Sequence, residues 1–249
     1  MNVDLSGKTA LVTGASSGFG RHFARTLATQ GATVVAAARR TDLLEDLSAE
    51  ASTAGLAIRP LQLNVTDEQQ VAKALGGLDR LDIVVNNAGM AGRDDALTCS
   101  PEEWRQTYDV NVHGAWFVAQ AAARKMKASG RGGSIVNIAS ITGIRTGAST
   151  AAYASSKAAL IHMTHALAME WARYRIRVNA LAPGYFETDL NRDFLVSDYG
   201  QAMLKRIPQR RFGEMNDLDG PLLLLASDLS AYMTGSVIAV DGGHLVAPL

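Results

Sequence analysis

Tyr153 and Lys157 stand four residues apart in Tyr153-Ala-Ser-Ser-Lys157, thirteen residues after Ser140. On a helix, residues i and i+4 share a face, so the phenol and the ammonium point the same way. A free tyrosine titrates near ~10, too high for a base at neutral pH. A neighbouring cation favours the phenolate and makes the group a usable general acid or base. Ser140 follows an apolar run and is placed to hydrogen-bond a substrate oxygen. Asn111 lies in a long helical stretch, where it can bind backbone or water. A Tyr–Lys pair alone equally describes a solvated helix face with a snorkelling lysine. What accompanies it decides between the two.

A glycine-rich turn, Thr13-Gly-Ala-Ser-Ser-Gly-Phe-Gly20, sits between a short apolar run, Thr9 to Thr13, and a helical pattern carried by Phe19, Phe23 and Leu27. Strand before and helix after are the setting in which such glycines admit a pyrophosphate to a helix N-terminus, where unpaired N–H groups favour anions. A turn serving only helix–strand packing is the alternative. Gly14, Ser16, Ser17, Gly18, Phe19 and Gly20 are therefore candidate cofactor contacts. The next strand, Thr33 to Ala38, ends in Arg39 and Arg40, with no acid until Asp42. An acid there would favour NAD; the planar fork of Arg39 suits a 2′-phosphate. The reading is NADP(H) preferred and NAD(H) possible. Asn64 and Val65 could contact adenine, and Asn87, Ala88 and Gly89 would lie along the cofactor, since ligands bind at the carboxyl ends of such strands.

The remaining elements must hold these groups in place. Apolar runs at Ile58–Val65, Leu81–Asn86, Gly133–Ile138, Ile176–Ala182 and Gly235–Val240 read as strands. Helical patterns fall between them, including Leu43–Ala54, a short helix capped by Thr66, a long one opened by Ser100-Pro101, Thr150–Ala172 and Asp217–Ala226. Strands that are continuously apolar and alternate with helices imply an α/β fold with a parallel sheet covered on both faces. No repeat or linker divides the 249 residues, so one domain is expected over 1–249.

Composition narrows the function. The 24 basic and 24 acidic side chains cancel, removing a general electrostatic reason to bind nucleic acid or an anionic membrane. The single cysteine, Cys99, forms no internal disulfide and suits a reducing compartment. No signal peptide and no spanning run are recognised, so a soluble, cytoplasmic protein is expected.

With these motifs in order, the chain resembles a short-chain dehydrogenase/reductase over nearly its whole length. The resemblance rests on the glycine turn, Asn86-Asn-Ala-Gly89, Asn111, Ser140, Tyr153-Ala-Ser-Ser-Lys157, Pro183-Gly184 with Thr188, and Asp241-Gly-Gly243. It implies a Rossmann-like three-layer sandwich with a seven-stranded sheet, and a homotetramer or a dimer. It implies that Tyr153 is the general acid/base and that Lys157 lowers its pKa and binds the nicotinamide ribose. Ser140 would orient the substrate oxygen, Asn111 would hold a water leading from Lys157 to solvent, and Pro183, Gly184 and Thr188 would hold the carboxamide. The expected activity is hydride transfer between NADP(H) and a ketone or secondary alcohol. A 3-oxoacyl-thioester reductase and an NAD-linked secondary alcohol dehydrogenase are the alternatives. The Tyr-x-x-x-Lys spacing is shorter than that of enoyl reductases and argues against double-bond reduction.

The stretch 184–213 has no clean period and reads as a substrate loop or lid. Tyr185, Phe186, Leu190, Phe194, Leu195 and Met203 give it an apolar face, opposite Ile141, Thr142 and Ile144; an apolar ketone fits that lining. Lys205, Arg206, Arg210 and Arg211 read as a solvated face that could attract an acidic acyl carrier. His22, His113 and His244 are isolated, and His162 and His165 lack a third metal ligand.

Overall fold

The computed structural model describes residues 3–92, 95–187 and 195–247. Seven strands form: β1 (Thr9–Thr13), β2 (Thr33–Ala38), β3 (Ile58–Gln62), β4 (Ile83–Asn86), β5 (Gly133–Ile138), β6 (Ile176–Pro183) and β7 (Val237–Val240). Every neighbouring pair is parallel, in the order β3-β2-β1-β4-β5-β6-β7. The chain steps outward from β1 to β3 and then returns across β1 to begin β4. That reversal leaves a crevice at the carboxyl ends of β1 and β4, where ligands bind in open α/β sheets.

Continuous apolar strands follow from two-sided burial. Ala10 and Val12 of β1 face one core, and Leu11 between them faces the other. The first core packs α1 (Gly18–Thr29), α2 (Thr41–Thr53) and α8 (Asp219–Ala226) on the sheet through Phe23, Leu27, Leu44, Leu47, Leu222 and Leu225. The second packs α3 (Glu68–Gly76), α5 (Ala115–Ser129) and α6 (Ala151–Trp171) through Val71, Val118, Met126 and Leu167. Each fully buried large side chain contributes roughly 1.5–3 kcal/mol of transfer free energy, so the two layers hold the strand ends, and the site on them, in register.

Ser100 caps α4 (Pro101–Tyr108) by accepting from the Glu103 N–H at 3.0 Å, with Pro101 in the first turn as expected. The long helix after it is interrupted, because Asp109–Gly114 forms a π-helical turn between α4 and α5. α3 is capped by Asp67, whose carboxylate accepts from the Gln70 N–H at 2.9 Å, and not by Thr66. Thr66 donates to Asn64 Oδ1 at 3.0 Å instead, and β3 stops at Gln62, short of the expected Val65. The irregular stretch contains a short helix, α7 (Asp198–Leu204), and its stems are tied by a bridge between Phe186 and Gly213. Thr188, Leu190 and Phe194 lie outside the described residues. Among the described residues no helix is long and apolar enough to cross a membrane.

Candidate active site

α6 carries Tyr153 and Lys157 on the face turned to the sheet. Lys157 is buried, and its Nζ donates to the Ile138 carbonyl at the end of β5 at 2.8 Å. That ammonium lies 5.6 Å from the centroid of the Tyr153 ring. Burial holds Lys157 down to about 8. Burial also pushes the Tyr153 phenol up, the Ser140 hydroxyl hydrogen-bonded to it pulls the other way, and Tyr185 raises it. The sequence pattern led us to expect the ammonium to draw the phenol down. In this structure desolvation prevails on both groups, and the Lys157 ammonium is turned to the Ile138 carbonyl.

Ser140 follows β5 and caps the 3-10 turn Ile141–Gly143. Its Oγ accepts from the Thr142 N–H at 3.1 Å and from Thr142 Oγ1 at 2.9 Å. Both acceptor positions are filled, so the serine's own hydrogen is directed toward the phenol or a substrate oxygen.

Asn111 sits in the π-helical turn, and such turns recur at functional sites. Its amide Nδ2 donates to the Met90 carbonyl and to Ser156 Oγ, both at 2.9 Å, while its Oδ1 accepts from the Met90 N–H at 2.8 Å. Ser156 in turn donates to the Tyr153 carbonyl at 2.7 Å. The side chain of Asn111 therefore braces the loop after β4 against α6. A Cβ added at Gly89 would lie 3.2 Å from Asn111 Oδ1 and 3.4 Å from Lys157 Nζ, which places these three groups together. Ser156, Met90 and Ile138 escaped the sequence reading, though Ser156 stands inside the Tyr-x-x-x-Lys motif itself.

The glycine turn adjoins this cluster. Gly14 has φ +68°, and a Cβ there would lie 2.9 Å from the Ala88 Cα, so the turn touches the end of β4 closely. Asn87 fixes the contact by donating its Nδ2 to the Thr13 carbonyl at 2.9 Å, and Thr13 Oγ1 accepts from the N–H groups of Asn87 and Ala88. Gly18, at φ +52°, opens on free space, with no atom within 4 Å of the point a Cβ would occupy. Ser17 precedes α1 without a side-chain cap, and no acid stands in its first turn. This end can receive a phosphate, which is the fit a dinucleotide requires. Arg40 donates to Ser16 Oγ at 3.0 Å and Ser17 Oγ at 2.9 Å, so its guanidinium lies over the turn; Arg39 and Arg40 are both exposed. Arg40 is thus the better-placed cation, where the sequence had favoured Arg39. Asn64 turns its Oδ1 back onto Thr66. Val65 is buried, and a Cβ on Gly114 of the π-helical turn would lie 2.7 Å from its Cγ2. Phe19 packs edge-on against Phe186, with ring centroids 5.5 Å apart.

Of the expected substrate wall, Ile141 and Phe186 are buried, the latter packed in the core against Phe19. Leu195 is buried as well. Tyr185 borders a cavity of about 340 Å³ whose other walls include Gln209, Arg211, Asp217 and Asp241. That cavity also takes in Phe186, Ala239 and Val240, and it does not include Ile141, Thr142 or Tyr153. Lys205, Arg206, Arg210 and Arg211 are all exposed, as a solvated face requires. Arg211 pairs with Asp217 at 2.6 Å and 2.9 Å, and Arg210 donates to the Lys205 carbonyl. Three histidines read as isolated have partners. His22 pairs with Asp219 at 2.7 Å, His113 with Asp109 at 2.9 Å, and His244 packs on the Tyr185 ring at 5.5 Å. Among the described residues no group of His, Cys, Asp and Glu could hold a metal ion.

A family model described as enoyl-(acyl carrier protein) reductase matches residues 14–244. L-rhamnose 1-dehydrogenase (NAD(P)(+)) of Azotobacter vinelandii is 39% identical, over 96% of this chain and 97% of the relative. The chain belongs to the short-chain dehydrogenase/reductase family. A 3-oxoacyl-[acyl-carrier-protein] reductase of Thermotoga maritima, another relative, is also 39% identical, over 97% of this chain and 99% of its own length. A gluconate 5-dehydrogenase from Burkholderia cenocepacia, solved in complex with NADP and tartrate, superposes with a TM-score of 0.95 at 36% identity, covering 99% of this chain and 98% of that one. As a short-chain dehydrogenase/reductase this protein is a nicotinamide-dependent oxidoreductase of CH–OH and C=O groups.

Proposed function

We propose that the chain interconverts a ketone and a secondary alcohol with NADP(H) as the preferred cofactor and Tyr153 as the general acid/base. The observation that carries this reading is the buried Lys157 ammonium, held on the Ile138 carbonyl 5.6 Å from the Tyr153 ring centroid, with Ser140 beside the phenol and a glycine turn whose serines are held by Arg40. The residues that would hold the cofactor are Gly14, Ser16, Ser17, Gly18 and Arg40 at the phosphates, and Asn87, Ala88 and Gly89 along its length, with Pro183 and Gly184 at the carboxamide. The bound nicotinamide supplies or accepts the hydride.

In reduction, the Tyr153 hydroxyl gives its proton to the carbonyl oxygen as negative charge develops there, and Ser140 donates a second hydrogen bond to the same oxygen. In oxidation the phenolate takes the proton of the alcohol. Lys157 stabilises the phenolate from below, and the brace formed by Asn111 and Ser156 keeps α6 at a fixed distance from the loop after β4. The Tyr-x-x-x-Lys spacing and the Ser140 donor suit an oxygen-bound intermediate, which supports carbonyl rather than double-bond reduction. Assembly as a homotetramer or dimer belongs to the same reading.

Titration of the purified protein with NADPH and NADH at matched salt, followed by turnover of a panel of secondary alcohols, tests the proposal. NADPH binding at least about tenfold tighter is expected, the scale of one charge-assisted hydrogen bond. Equal binding would move the assignment to an NAD-linked alcohol dehydrogenase. Turnover confined to 3-oxoacyl thioesters would favour the reading that the Thermotoga maritima relative supports.

A further inference from the structure

The Ser140 hydroxyl stands at the start of the loop between β5 and α6. Its turn is short. The Gly143 N–H donates to the Ser140 carbonyl at 3.1 Å, and the N–H groups of Ile144 and Arg145 donate to the Ile141 carbonyl at 3.0 Å and 2.9 Å. One side of this turn rests on α6. A Cβ added at Gly143 would lie 2.7 Å from the carbonyl carbon of Lys157 and 2.8 Å from the Ala158 nitrogen, so the turn already touches the helix backbone. The outer side has no such wall. From Ile144 to Ser149 every residue except Arg145 is exposed. Apolar packing therefore does not hold the turn from outside.

Arg145 holds it instead. Its guanidinium donates to the carbonyls of His244 at 2.5 Å, Leu245 at 3.2 Å and Ala247 at 3.5 Å. These belong to the 3-10 turn His244–Val246 and the residue after it. Carbonyls at the carboxyl end of a helical turn have few partners within it and favour a cation. Asp241 closes the other end of the same turn, accepting from the N–H groups of Gly243 at 2.9 Å and Leu245 at 2.7 Å. Asp241 directly follows β7, and Gly242, at φ +63°, would bring a Cβ within 2.8 Å of Ile207 Cγ2. The turn at His244 is thus anchored to the sheet at one end and gripped by Arg145 at the other. A planar fork with several fixed donors passes that position on more strictly than a single ammonium would.

We propose that Arg145 is a positioning residue for the reaction: by tying the Ser140 turn to the turn at His244, it sets the Ser140 hydroxyl against the substrate oxygen. The inference rests on the assignment of Ser140 and Tyr153 as the reacting end. Thr142 fills both acceptor positions of Ser140 Oγ, so the serine's hydrogen has one direction relative to its turn, and a shift of the turn carries that direction off the substrate oxygen. Arg145 acts through Ser140 and takes no part in proton transfer.

A double-mutant cycle of Arg145 and Ser140 tests this on reduction by NADPH of the best substrate in a panel of ketones, from cyclohexanone to dihydroxyacetone. R145A should lower kcat by at least about tenfold, since a misplacement of about 1 Å can cost ~10²-fold, with NADPH affinity unchanged. R145K, which keeps one donor at the carbonyls, should fall between R145A and the parent. In the S140A background R145A should cost less than about twofold, because the hydroxyl it positions is gone. The same cycle run with R145K covers the case in which R145A fails to fold and binds no NADPH; the two losses should again be non-additive. An equal loss in both backgrounds, or parent-like kcat in R145A, overturns the inference and leaves the dehydrogenase reading standing. Parent-like kcat in S140A sinks the role given to Ser140 and the inference with it. Failure of the parent to reduce any ketone or oxidise any alcohol overturns both.

Discussion

The amide of Asn111 donates to the hydroxyl of Ser156 at 2.9 Å, and through it the π-helical turn is joined to the helix that carries the phenol. Ser156 is fully buried and hands its own hydrogen to the Tyr153 carbonyl. Removing that oxygen leaves a buried amide donor with one acceptor fewer. Ser156→Ala should therefore lower kcat by roughly tenfold, the upper end of one neutral hydrogen bond. Steady-state kinetics beside NADPH titration verifies this. A loss confined to cofactor affinity would place the serine elsewhere in the machinery.

Tyr153→Phe removes the proton donor and keeps the ring. Turnover should fall by at least ~10²-fold, the contribution of one positioned acid–base group, while NADPH binding persists. Turnover equal to the parent would sink the role assigned to the phenol.

Lys157 is held down from 10.5 to about 8 by burial. The unfolded chain therefore binds a proton that the native state does not, between about 8 and 10.5. Stability rises with pH across that window and carries a constant penalty below it. Lys157→Met removes the penalty at the loss of the hydrogen bond to Ile138, for a net gain of about 2 kcal/mol at pH 7. The variant should be inactive yet melt several degrees higher at pH 7, with the gap closing above pH 8, in calorimetry across a pH series. A lower melting temperature at pH 7 would contradict the burial argument.

Of the two exposed arginines after β2, Arg40 holds Ser16 and Ser17. Arg40→Ala should weaken NADPH binding by about tenfold while changing NADH binding little, since only the former carries the extra phosphate. Arg39→Ala should have the smaller effect. The reverse order in paired titrations would return the phosphate to Arg39.

The legible part of the chain was the local part. The glycine turn and the Tyr153–Lys157 pair are short-range patterns fixed by helix and turn geometry, and continuous apolar runs such as Val34–Ala38 identify strands covered on both faces. The π-helical turn around Asn111 left no trace, because the helical spacing of apolar residues continues through it. The choice of Arg40 over Arg39 depends on which way adjacent side chains leave the end of β2, and strand periodicity, which places Ala38 correctly, stops before both. The brace through Ser156 and the grip of Arg145 join residues 45 and about 100 positions apart, beyond any periodicity. The cavity beside Tyr185 follows from the same cause, since Gln209 and Asp241 meet there only after the sheet has closed.

The grip of Arg145 on the turn at His244 also bears on how the protein is made. Synthesis runs from the N-terminus, and the strands β1 to β4 with their phosphate turn emerge from the ribosome well before residue 244. A nascent chain halted after α6 would hold the dinucleotide half and the Tyr153–Lys157 helix, yet the loop after Ser140 would lack the carbonyls that anchor it. The geometry of the loop that presents Ser140 is therefore set by chain 100 residues further on, and not by the strand that carries it.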